Sequence, residues 1–196
     1  MKAKHCVRVG VLGLQGAARE HRHMVESLGH TAVDIRRPHH LESVEALILP
    51  GGESTTMSML LESSELFDPI AGLVGSGMPV FGTCAGMILL ADQVLDGRPD
   101  QRTFSALRLS VKRNGFGRQT ASFEADLDVK GLDSPFRAVF IRAPLVTEVG
   151  DDIDVLATVT GDDGGQYAAV CRKGPVMVSA FHPELTDDTR LHELWL

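Results

Sequence analysis

The run Pro79–Met87 constrains this chain more than any other stretch. A short apolar strand ends at Cys84, which is flanked by Gly82 and Gly86, and an apolar segment of helical character, Met87–Ala91, follows at once. This G-x-nucleophile-x-G spacing is typical of a nucleophile elbow, with Cys in place of Ser. A sharp strand-to-helix turn needs small residues on both sides, and the helix N-terminus favours an anionic nucleophile. The motif predicts a catalytic cysteine; a buried structural cysteine is the alternative.

A second motif lies about a hundred residues further along the chain, where an apolar strand runs into His182-Pro183-Glu184. Pro183 disfavours helical backbone at the preceding residue, so the sequence predicts an extended chain in which His182 and Glu184 point to the same side. His182 would take the thiol proton and later return it to a leaving amine, while Glu184 would fix its tautomer. A structural role is open for His182 alone, but with the elbow the residues predict a Cys84–His182–Glu184 triad.

Composition narrows the class of protein. A chain of 196 residues suits one compact domain, 1–196, and we expect residues 1–6 to be a disordered extension. No apolar run approaches the roughly 20 residues of a membrane span, and the N-terminus does not resemble a signal peptide. Three irregularly spaced cysteines argue against a disulfide framework and for a cytoplasmic location, and a net charge of −7 disfavours nucleic acid as partner. The histidine spacings fit no common zinc pattern, so no metal site is predicted.

The first half of the chain alternates strand and helix signals. Strands are predicted at Val7–Leu14, Thr31–Arg36, Ala46–Leu49 and Pro79–Gly82, and helices at Ala18–Leu28, Thr55–Leu61 and Phe67–Val74. This order predicts an α/β fold of three layers, with a mostly parallel central sheet and helices on both faces. Later strands follow one another without helices, and a closing helix ends the chain: Leu107–Arg113, Gln119–Ala125, Ala138–Ile141, Val155–Val159, Tyr167–Arg172, Val176–Ala180 and the helix Thr186–Trp195.

Three loops are expected at the carboxyl ends of the parallel strands, where ligands bind in open sheets. They are the Gln15-Gly16 loop, the Pro50–Ser54 loop and the elbow itself. The two glycines of the second loop expose backbone N–H groups that can donate to an oxyanion or a carboxylate. A plain strand-to-helix turn is the alternative interpretation of that loop.

Together the motifs resemble one known family. The chain is similar to the glutaminase subunit of pyridoxal 5′-phosphate synthase, a class I (triad) glutamine amidotransferase with a flavodoxin-like fold. The elbow and His-x-Glu are shared with all triad amidotransferases, whereas Gly51–Thr56 and Phe140–Pro144 are more specific. The motifs carrying the resemblance span about 9–194: Leu14–Gly16, Leu49–Thr56, Gly82–Gly86, Arg113-Asn114, Phe116–Gln119, Ser122–Glu124, Phe140–Pro144 and Phe181–Glu184.

The resemblance implies a reaction and a set of site residues. Glutamine would be hydrolysed to glutamate and ammonia through a glutamyl thioester on Cys84, with His182 moving protons and Glu184 orienting it. Backbone N–H groups of Gly52 and Ala85 would hold the oxyanion. No cofactor is implied. The glutamine-binding positions of the family fall on Gly52, Glu53, Ser54, Arg113, Ile141 and Arg142.

The resemblance also implies a partner. In the family, ammonia passes to a synthase subunit, which is a (β/α)8 barrel, and several glutaminases assemble around a core of twelve synthase subunits. The Gln15 loop and the first helix, with Arg19, Glu20 and His21, would lie near that contact. Gln15 would help to preorganise the oxyanion hole when the partner binds.

Three other functions remain open at this stage. They are the glutaminase of another amidotransferase, a non-catalytic regulatory subunit of the same fold, and a cysteine peptidase or chaperone of a related α/β type. The Gly51–Thr56 and Phe140–Pro144 runs speak against the first, and the complete triad speaks against the second. Peptidases and chaperones of that type usually place their acid and histidine differently.

Overall fold

The structure, a computed structural model, describes residues 5–113, 115 and 122–196. The helices are α1 (Ala18–Ser27), α2 (Ser54–Ser63), α3 (Phe67–Gly75), α4 (Ala85–Leu90) and α5 (Arg190–Trp195), with short 3-10 helices at Pro38–Ser43 and Pro183–Leu185. The strands are β1 (Arg8–Leu12), β2 (Thr31–Ile35), β3 (Ala46–Leu49), β4 (Val80–Thr83), β5 (Ala91–Val94), β6 (Leu107–Lys112), β7 (Ser122–Leu127), β8 (Phe136–Ile141), β9 (Leu145–Val149), β10 (Asp154–Thr160), β11 (Gln166–Lys173) and β12 (Val176–Ser179).

The largest sheet of the described residues has the strand order β10-β11-β12-β4-β3-β1-β2. The five strands from β12 to β2 are parallel neighbours, whereas β10, β11 and β12 pair antiparallel. The prediction of a mostly parallel central sheet is confirmed. The antiparallel edge arises because β10, β11 and β12 follow one another through turns too short for a crossover.

Helices cover both faces of this sheet, as the sequence predicts. The chain moves from β1 to β2 in one direction and from β3 to β4 in the other. Since crossovers between parallel strands are right-handed, α1 lies on one face and α2 and α3 lie on the opposite face. Helix α4 packs beside α2, and α5 joins α1 through a contact between their side chains.

Two small sheets lie beside the large one, and they account for most of the differences from prediction. They have the orders β5-β6-β9 and β7-β8. Neither β5 nor β9 is predicted, because Ala91–Val94 directly continues an apolar helix and Leu145–Val149 has only one buried side chain. The predicted strand 119–125 begins outside the described residues, and the structure describes it from Ser122.

The closing helix begins later than predicted. It starts at Arg190 rather than near Thr186, because the preceding residues form a hydrogen-bonded turn. The hydroxyl of Thr186 donates to the carbonyl of Pro183 at 3.1 Å and accepts from the backbone N–H of Asp188 at 3.3 Å. These bonds hold residues 183–188 in a turn, and the regular helix begins only after it.

The N-terminal segment is described only in part. Residues 1–4 of the predicted disordered extension lie outside the described residues. His5 and Cys6 are exposed on the surface, where their side chains lie 3.3 Å from Glu45 Oε1 and 3.5 Å from Thr31 Oγ1. In the part of the chain that the structure describes, no helix is both long and apolar enough to cross a bilayer.

The central strands bring the predicted loops to one edge of the sheet. Every residue of β3, β4 and β12 is buried, as expected for parallel strands covered on both faces. In the registers, Leu49 pairs with Gly82 and Ser179 pairs with Thr83. The loop after β3, the elbow after β4 and the segment after β12 therefore leave the sheet side by side.

Close backbone contact explains both glycines of the elbow. A Cβ on Gly82 would lie 2.7 Å from the backbone of Gly86, and a Cβ on Gly86 would lie 2.0 Å from the carbonyl oxygen of Leu49. Distances below 3 Å to backbone atoms can be relieved only by moving β3, β4 or α4. The sequence-based expectation that the turn needs small residues on both sides is confirmed.

We expect Gly86→Ala to lower the free energy of unfolding by about 1–3 kcal/mol, the usual range for overpacking a well-packed core. The control is Gly72→Ala, on the exposed side of α3 where a Cβ meets nothing within 4 Å. This control should raise stability by about 0.5–1 kcal/mol, since Gly is unfavourable inside a helix. Urea denaturation of both variants measures the contrast, and equal stability of Gly86→Ala and wild type would contradict the close approach.

Candidate active site

Cys84 is the residue at which β4 turns into α4. Its backbone has a positive φ, with φ 49° and ψ −103°. Residues other than glycine rarely adopt this backbone conformation, and those that do are often at functional sites. Its N–H donates to the carbonyl of Ser179 at 2.9 Å, and its carbonyl accepts from Ile88 N–H at 3.2 Å. These two bonds fix the nucleophile between β12 and the first turn of α4.

His182 and Glu184 form the pair that the sequence predicts, though by a different local geometry. The Nδ1 atom of His182 lies 2.7 Å from Glu184 Oε1. His182 is outside the helical region, at φ −104° and ψ 87°, as expected before Pro183. The prediction that the chain stays extended through Glu184 is wrong, because proline is also well suited to begin a helix and Pro183–Leu185 is a 3-10 turn.

The imidazole of His182 reaches Cys84 beside a glycine. A Cβ on Gly51 would lie 2.3 Å from Cε1 of His182 and 3.4 Å from Cβ of Cys84, so the side chains of Cys84 and His182 meet next to this position. Burial disfavours a charged His182, but hydrogen bonds to Cys84 and Glu184, together with their negative charge, outweigh it and raise the pKa of His182 to about 10. The hydrogen bonds and charges around the ring therefore favour an imidazolium beside Cys84.

Glu184 is the buried member of the triad. Burial disfavours its charge, but His21 and His182 outweigh that effect and hold the pKa of the carboxyl below its usual value. A carboxylate that stays ionised beside Nδ1 of His182 directs the Nε2 atom of the same ring toward Cys84.

A cleft of about 440 Å³ opens in front of Cys84 and His182. All six predicted glutamine-binding residues line it, so the structure brings together residues from three separate segments of the chain. Ala85, predicted for the oxyanion hole, is buried at the N-terminus of α4 directly after the nucleophile. The residues lining the cleft are Gln15, Gly52, Glu53, Ser54, Cys84, Ile88, Arg113, Ile141, Arg142 and His182.

Two of the charged residues in the cleft are held by neighbours. Arg113 donates from Nη1 to Thr55 Oγ1 at 2.7 Å and from Nη2 to the carbonyl of Asp96 at 3.0 Å. Glu53 caps α2 by accepting from the N–H groups of Thr55 and Thr56, at 3.2 and 2.7 Å. Burial would raise the pKa of Glu53, but these bonds outweigh it and lower the pKa. A guanidinium and a carboxylate thus lie 3.6 Å apart in the cleft.

The Gly51-Gly52 peptide is oriented by the loop after β1. The carbonyl of Gly51 accepts from Ala17 N–H at 3.2 Å, and Gln15 Oε1 accepts from Glu53 N–H at 3.0 Å. Because the C=O and N–H of a trans peptide point in opposite directions, the N–H of Gly52 points away from Ala17. Gly16 has φ +90°, and a Cβ there would lie 1.8 Å from the carbonyl oxygen of Gly51.

Three residues behind Glu184 are not predicted from the sequence as part of the site. His21 of α1, Thr83 of β4 and His192 of α5 are fully buried, and His21 is hydrogen-bonded to each of the other two. His21 was expected near a partner contact; its side chain faces the interior, so this residue does not itself contact a partner. A usable signal was its spacing from Met24 and Val25, which places all three on the buried face of α1.

The described residues contain neither a cluster of metal ligands nor a disulfide bond. Between residues 5 and 196, apart from 114 and 116–121, no group of three or more His, Cys, Asp or Glu side chains is arranged to hold an ion. Cys6, Cys84 and Cys171 are free thiols.

The buried histidines predict a pH dependence of stability. Burial lowers the pKa of His21 and lowers that of His192 well below the usual 6.5. Below pH 6.5 the unfolded chain therefore binds protons at these two histidines that the folded chain does not. Their contribution to the free energy of unfolding is fully present above about pH 6.5 and is lost as the pH drops below that value. Each histidine contributes up to about 1.4 kcal/mol per pH unit.

We therefore expect urea midpoints to fall between pH 7 and pH 5, and to fall less steeply in His192→Phe. His182 adds no slope in the acid part of this window, since its raised pKa leaves it protonated in the folded state and the unfolded ring is protonated there too. A midpoint that does not change from pH 7 to pH 5 would contradict the neutral, buried state of these rings.

The chain has many relatives among known proteins. The SNO glutamine amidotransferase family matches residues 11–196. Pyridoxal 5′-phosphate synthase subunit PdxT of Nocardioides sp. is 51% identical over 189 residues, which cover 96% of this chain and 94% of that protein. The subunit of the same name from Rhodococcus jostii is 52% identical over 192 residues, covering 96% and 95%.

Solved structures agree with the sequence relatives. A crystal structure of a glutamine amidotransferase superposes with a TM-score of 0.88 at 46% identity and covers 96% of both chains. A glutamine amidotransferase from Thermotoga maritima shows a likeness of fold alone, with a TM-score of 0.62 at 16% identity and coverage of 98% and 83%. On this evidence, the chain belongs to the SNO glutamine amidotransferase family.

Proposed function

We propose that this chain is the glutaminase subunit of pyridoxal 5′-phosphate synthase and hydrolyses L-glutamine to L-glutamate and ammonia. One observation carries the proposal. The side chains of Cys84 and His182 meet at the floor of a cleft whose walls are the six residues predicted to bind glutamine. The curated relatives that bear the name of this subunit match nearly the whole chain.

The triad residues supply the chemistry. Cys84, as the thiolate of an ion pair with His182, attacks the side-chain amide carbon of glutamine. His182 then protonates the leaving nitrogen, which departs as ammonia and leaves a glutamyl thioester. Water, deprotonated by His182, attacks the thioester and releases glutamate. Glu184 accepts the Nδ1–H of His182 throughout and keeps the ring in one tautomer.

The oxyanion formed in both steps would be held by the backbone N–H groups of Gly52 and Ala85. Ala85 follows the nucleophile at the start of α4, where helix N–H groups lack internal acceptors. The Gly51 carbonyl is bonded to Ala17, so Gly52 N–H is directed away from α1. Two such donors are the usual number in an oxyanion hole.

The far end of the cleft suits the charged end of glutamine. The substrate presents a carboxylate and an ammonium on one carbon, and the cleft presents Arg113, Arg142 and Glu53. An arginine pairs with the carboxylate and Glu53 with the ammonium. Ile141, Ser54 and Gly52 complete the wall against the side chain of the substrate.

Ammonia would pass to a synthase subunit rather than to solvent. We propose a (β/α)8-barrel partner, with several glutaminase chains around a core of twelve barrels, in the cytoplasm. This chain would act there as a single domain, 1–196. The exposed side of α1 and the Gln15 loop, which borders the cleft, form the proposed contact.

We expect glutamate release from glutamine to rise sharply when a pyridoxal 5′-phosphate synthase barrel subunit is added to this chain. Cys84→Ala should abolish release under both conditions, because the thioester cannot form. The matched control is Cys6→Ala, which removes an exposed thiol and should leave turnover unchanged. Glutamate is measured by a coupled dehydrogenase assay.

The outcomes of that assay separate the competing functions. Turnover that does not respond to this barrel would assign the same chemistry to another amidotransferase. No turnover with or without the barrel, in a folded chain, would favour a non-catalytic regulatory subunit. Hydrolysis of peptides without hydrolysis of glutamine would favour a peptidase.

We expect Gln15→Ala to reduce partner-stimulated turnover. The side chain of Gln15 holds Glu53 N–H at 3.0 Å and lies against Gly52, so its loss frees the peptide that we assign to the oxyanion hole. The loss should be about 10- to 100-fold in kcat, below the roughly 10²–10³ that follows removal of a donor itself. Gln166→Ala, at the exposed start of β11, is the control, and intact stimulation in Gln15→Ala would contradict this role.

A further inference from the structure

A line of buried polar groups continues behind the triad. Nε2 of His21 lies 3.3 Å from Glu184 Oε2 and 3.0 Å from Thr83 Oγ1. Nδ1 of His21 lies 2.9 Å from Nε2 of His192. The side chains of His21 and Glu184 have no exposed surface. The line runs from α5 through α1 to Glu184, then through His182 to Cys84.

The protonation states along this line follow from burial and from the available acceptors. Burial lowers the pKa of both His21 and His192, so each is neutral and carries one N–H. The ionised carboxylate of Glu184 can only accept, so we assign the proton of His21 to Nε2, which faces Glu184 and Thr83. Nδ1 of His21 is then an acceptor, and Nε2–H of His192 donates to it.

The far end of the line supports this assignment. Nδ1 of His192 is buried and has no hydrogen-bond partner among the described residues. An unprotonated ring nitrogen is less costly to leave unpaired there than an N–H donor, because donors are rarely left unpaired inside proteins. The reverse assignment would bury an unpaired N–H on His192 and would aim a lone pair of His21 at a carboxylate.

Glu184 needs this neighbour. Its Oε1 is bonded to His182, but its Oε2 is buried and lacks a well-aligned hydrogen bond in the described part of the chain. The polar group set against Oε2 is the ring of His21. Without that N–H, one oxygen of a buried carboxylate would lose the polar group that lies 3.3 Å from it, which favours protonation or rotation of the side chain.

We propose that His21 is a positioning residue for the triad: it fixes the orientation of Glu184 and keeps it ionised, while His192 fixes the tautomer of His21. The inference rests on the proposed triad. His21 lines neither the cleft nor the nucleophile, and it acts through its buried neighbours, chiefly Glu184, with Thr83 as its second contact. The other charged groups near it are His182, beyond Glu184, and Glu20, its neighbour on α1.

The test compares His21→Met with His21→Gln, two substitutions of nearly equal length that differ in a donor. The amide N–H of Gln can replace the Nε2–H of His21, whereas Met offers none. In the complex with the synthase barrel, His21→Met should lower kcat by about 10- to 100-fold with KM within about twofold, since Oε2 of Glu184 loses the ring nitrogen that lies 3.3 Å from it. His21→Gln should recover most of that loss.

The pH profile separates positioning from packing. In His21→Met the pKa of Glu184 rises, so the acid limb of kcat/KM moves to higher pH. A Glu184 carboxylate that is free to rotate away from Nδ1 stabilises the imidazolium of His182 less, so the alkaline limb moves to lower pH and the profile narrows. Equal losses in the Met and Gln variants with an unchanged profile would overturn the proposal and leave His21 as a packing residue.

Two further measurements do not depend on glutamine turnover. The pH range over which iodoacetamide alkylates Cys84 rapidly should narrow in the same way in His21→Met, even if the chain acts on another substrate. Nitrogen-15 NMR of the wild-type imidazoles should show His21 and His192 as neutral Nε2–H tautomers between about pH 6 and pH 8. An Nδ1–H tautomer or an imidazolium at His21 would overturn the proposal even if every variant failed to fold.

Discussion

The left-handed backbone of Cys84 is the constraint around which the site is built. A non-glycine residue at φ 49° carries strain of about 1–3 kcal/mol, which the surrounding structure has to offset. It is offset here by fully buried strands on both sides and by the contact of Gly86 with Leu49. Because the elbow is fixed by the sheet, the thiol and the N–H of Ala85 stand at set positions relative to the loop after β3.

Glu184, the acid of the triad, is held in a different way from Cys84 and His182. Cys84 and His182 face the cleft, whereas Glu184 is sealed in the core and cannot use water to stabilise its charge. Each of its oxygens therefore needs a protein group: Nδ1 of His182 lies 2.7 Å from Oε1, and Nε2 of His21 lies 3.3 Å from Oε2. Burial makes the carboxylate a rigid support for His182, and it also makes the support sensitive to the loss of either neighbour.

Local sequence patterns were sufficient to predict the residues of the triad. They were not sufficient to predict the cleft around the triad or the buried histidines behind it. The elbow and His182-Pro183-Glu184 are short motifs whose spacing reflects backbone geometry, so Cys84 and the acid–base pair could be predicted. The cleft required the family resemblance, because nothing local marks Arg113 or Arg142 as more than solvated strand residues. His21 and His192 are 171 residues apart, and only the packing of α1 against α5 brings them together.

The strands and helices also divide into those that local sequence predicts and those that depend on distant contacts. Fully buried strands were recognised as apolar runs, whereas β5 and β9 have mostly partly exposed or exposed side chains and pair only through the β6 strand between them. The 3-10 turn at Pro183 was missed because proline restricts the residue before it but also begins helices. The predicted approach of His182 to Glu184 was nevertheless correct, since both backbone geometries place these side chains together.

Helix α1 contacts both the Gly51-Gly52 loop and Glu184. At its N-terminus, the N–H of Ala17 holds the carbonyl of Gly51 and so orients the Gly52 N–H that we assign to the oxyanion. One turn later, His21 faces Glu184 from the buried side of the same helix. Arg19, between them, points outward and is exposed. A partner that binds the exposed side of α1 therefore acts on a rigid element that contacts both the oxyanion loop and the acid, so a single displacement would change both together.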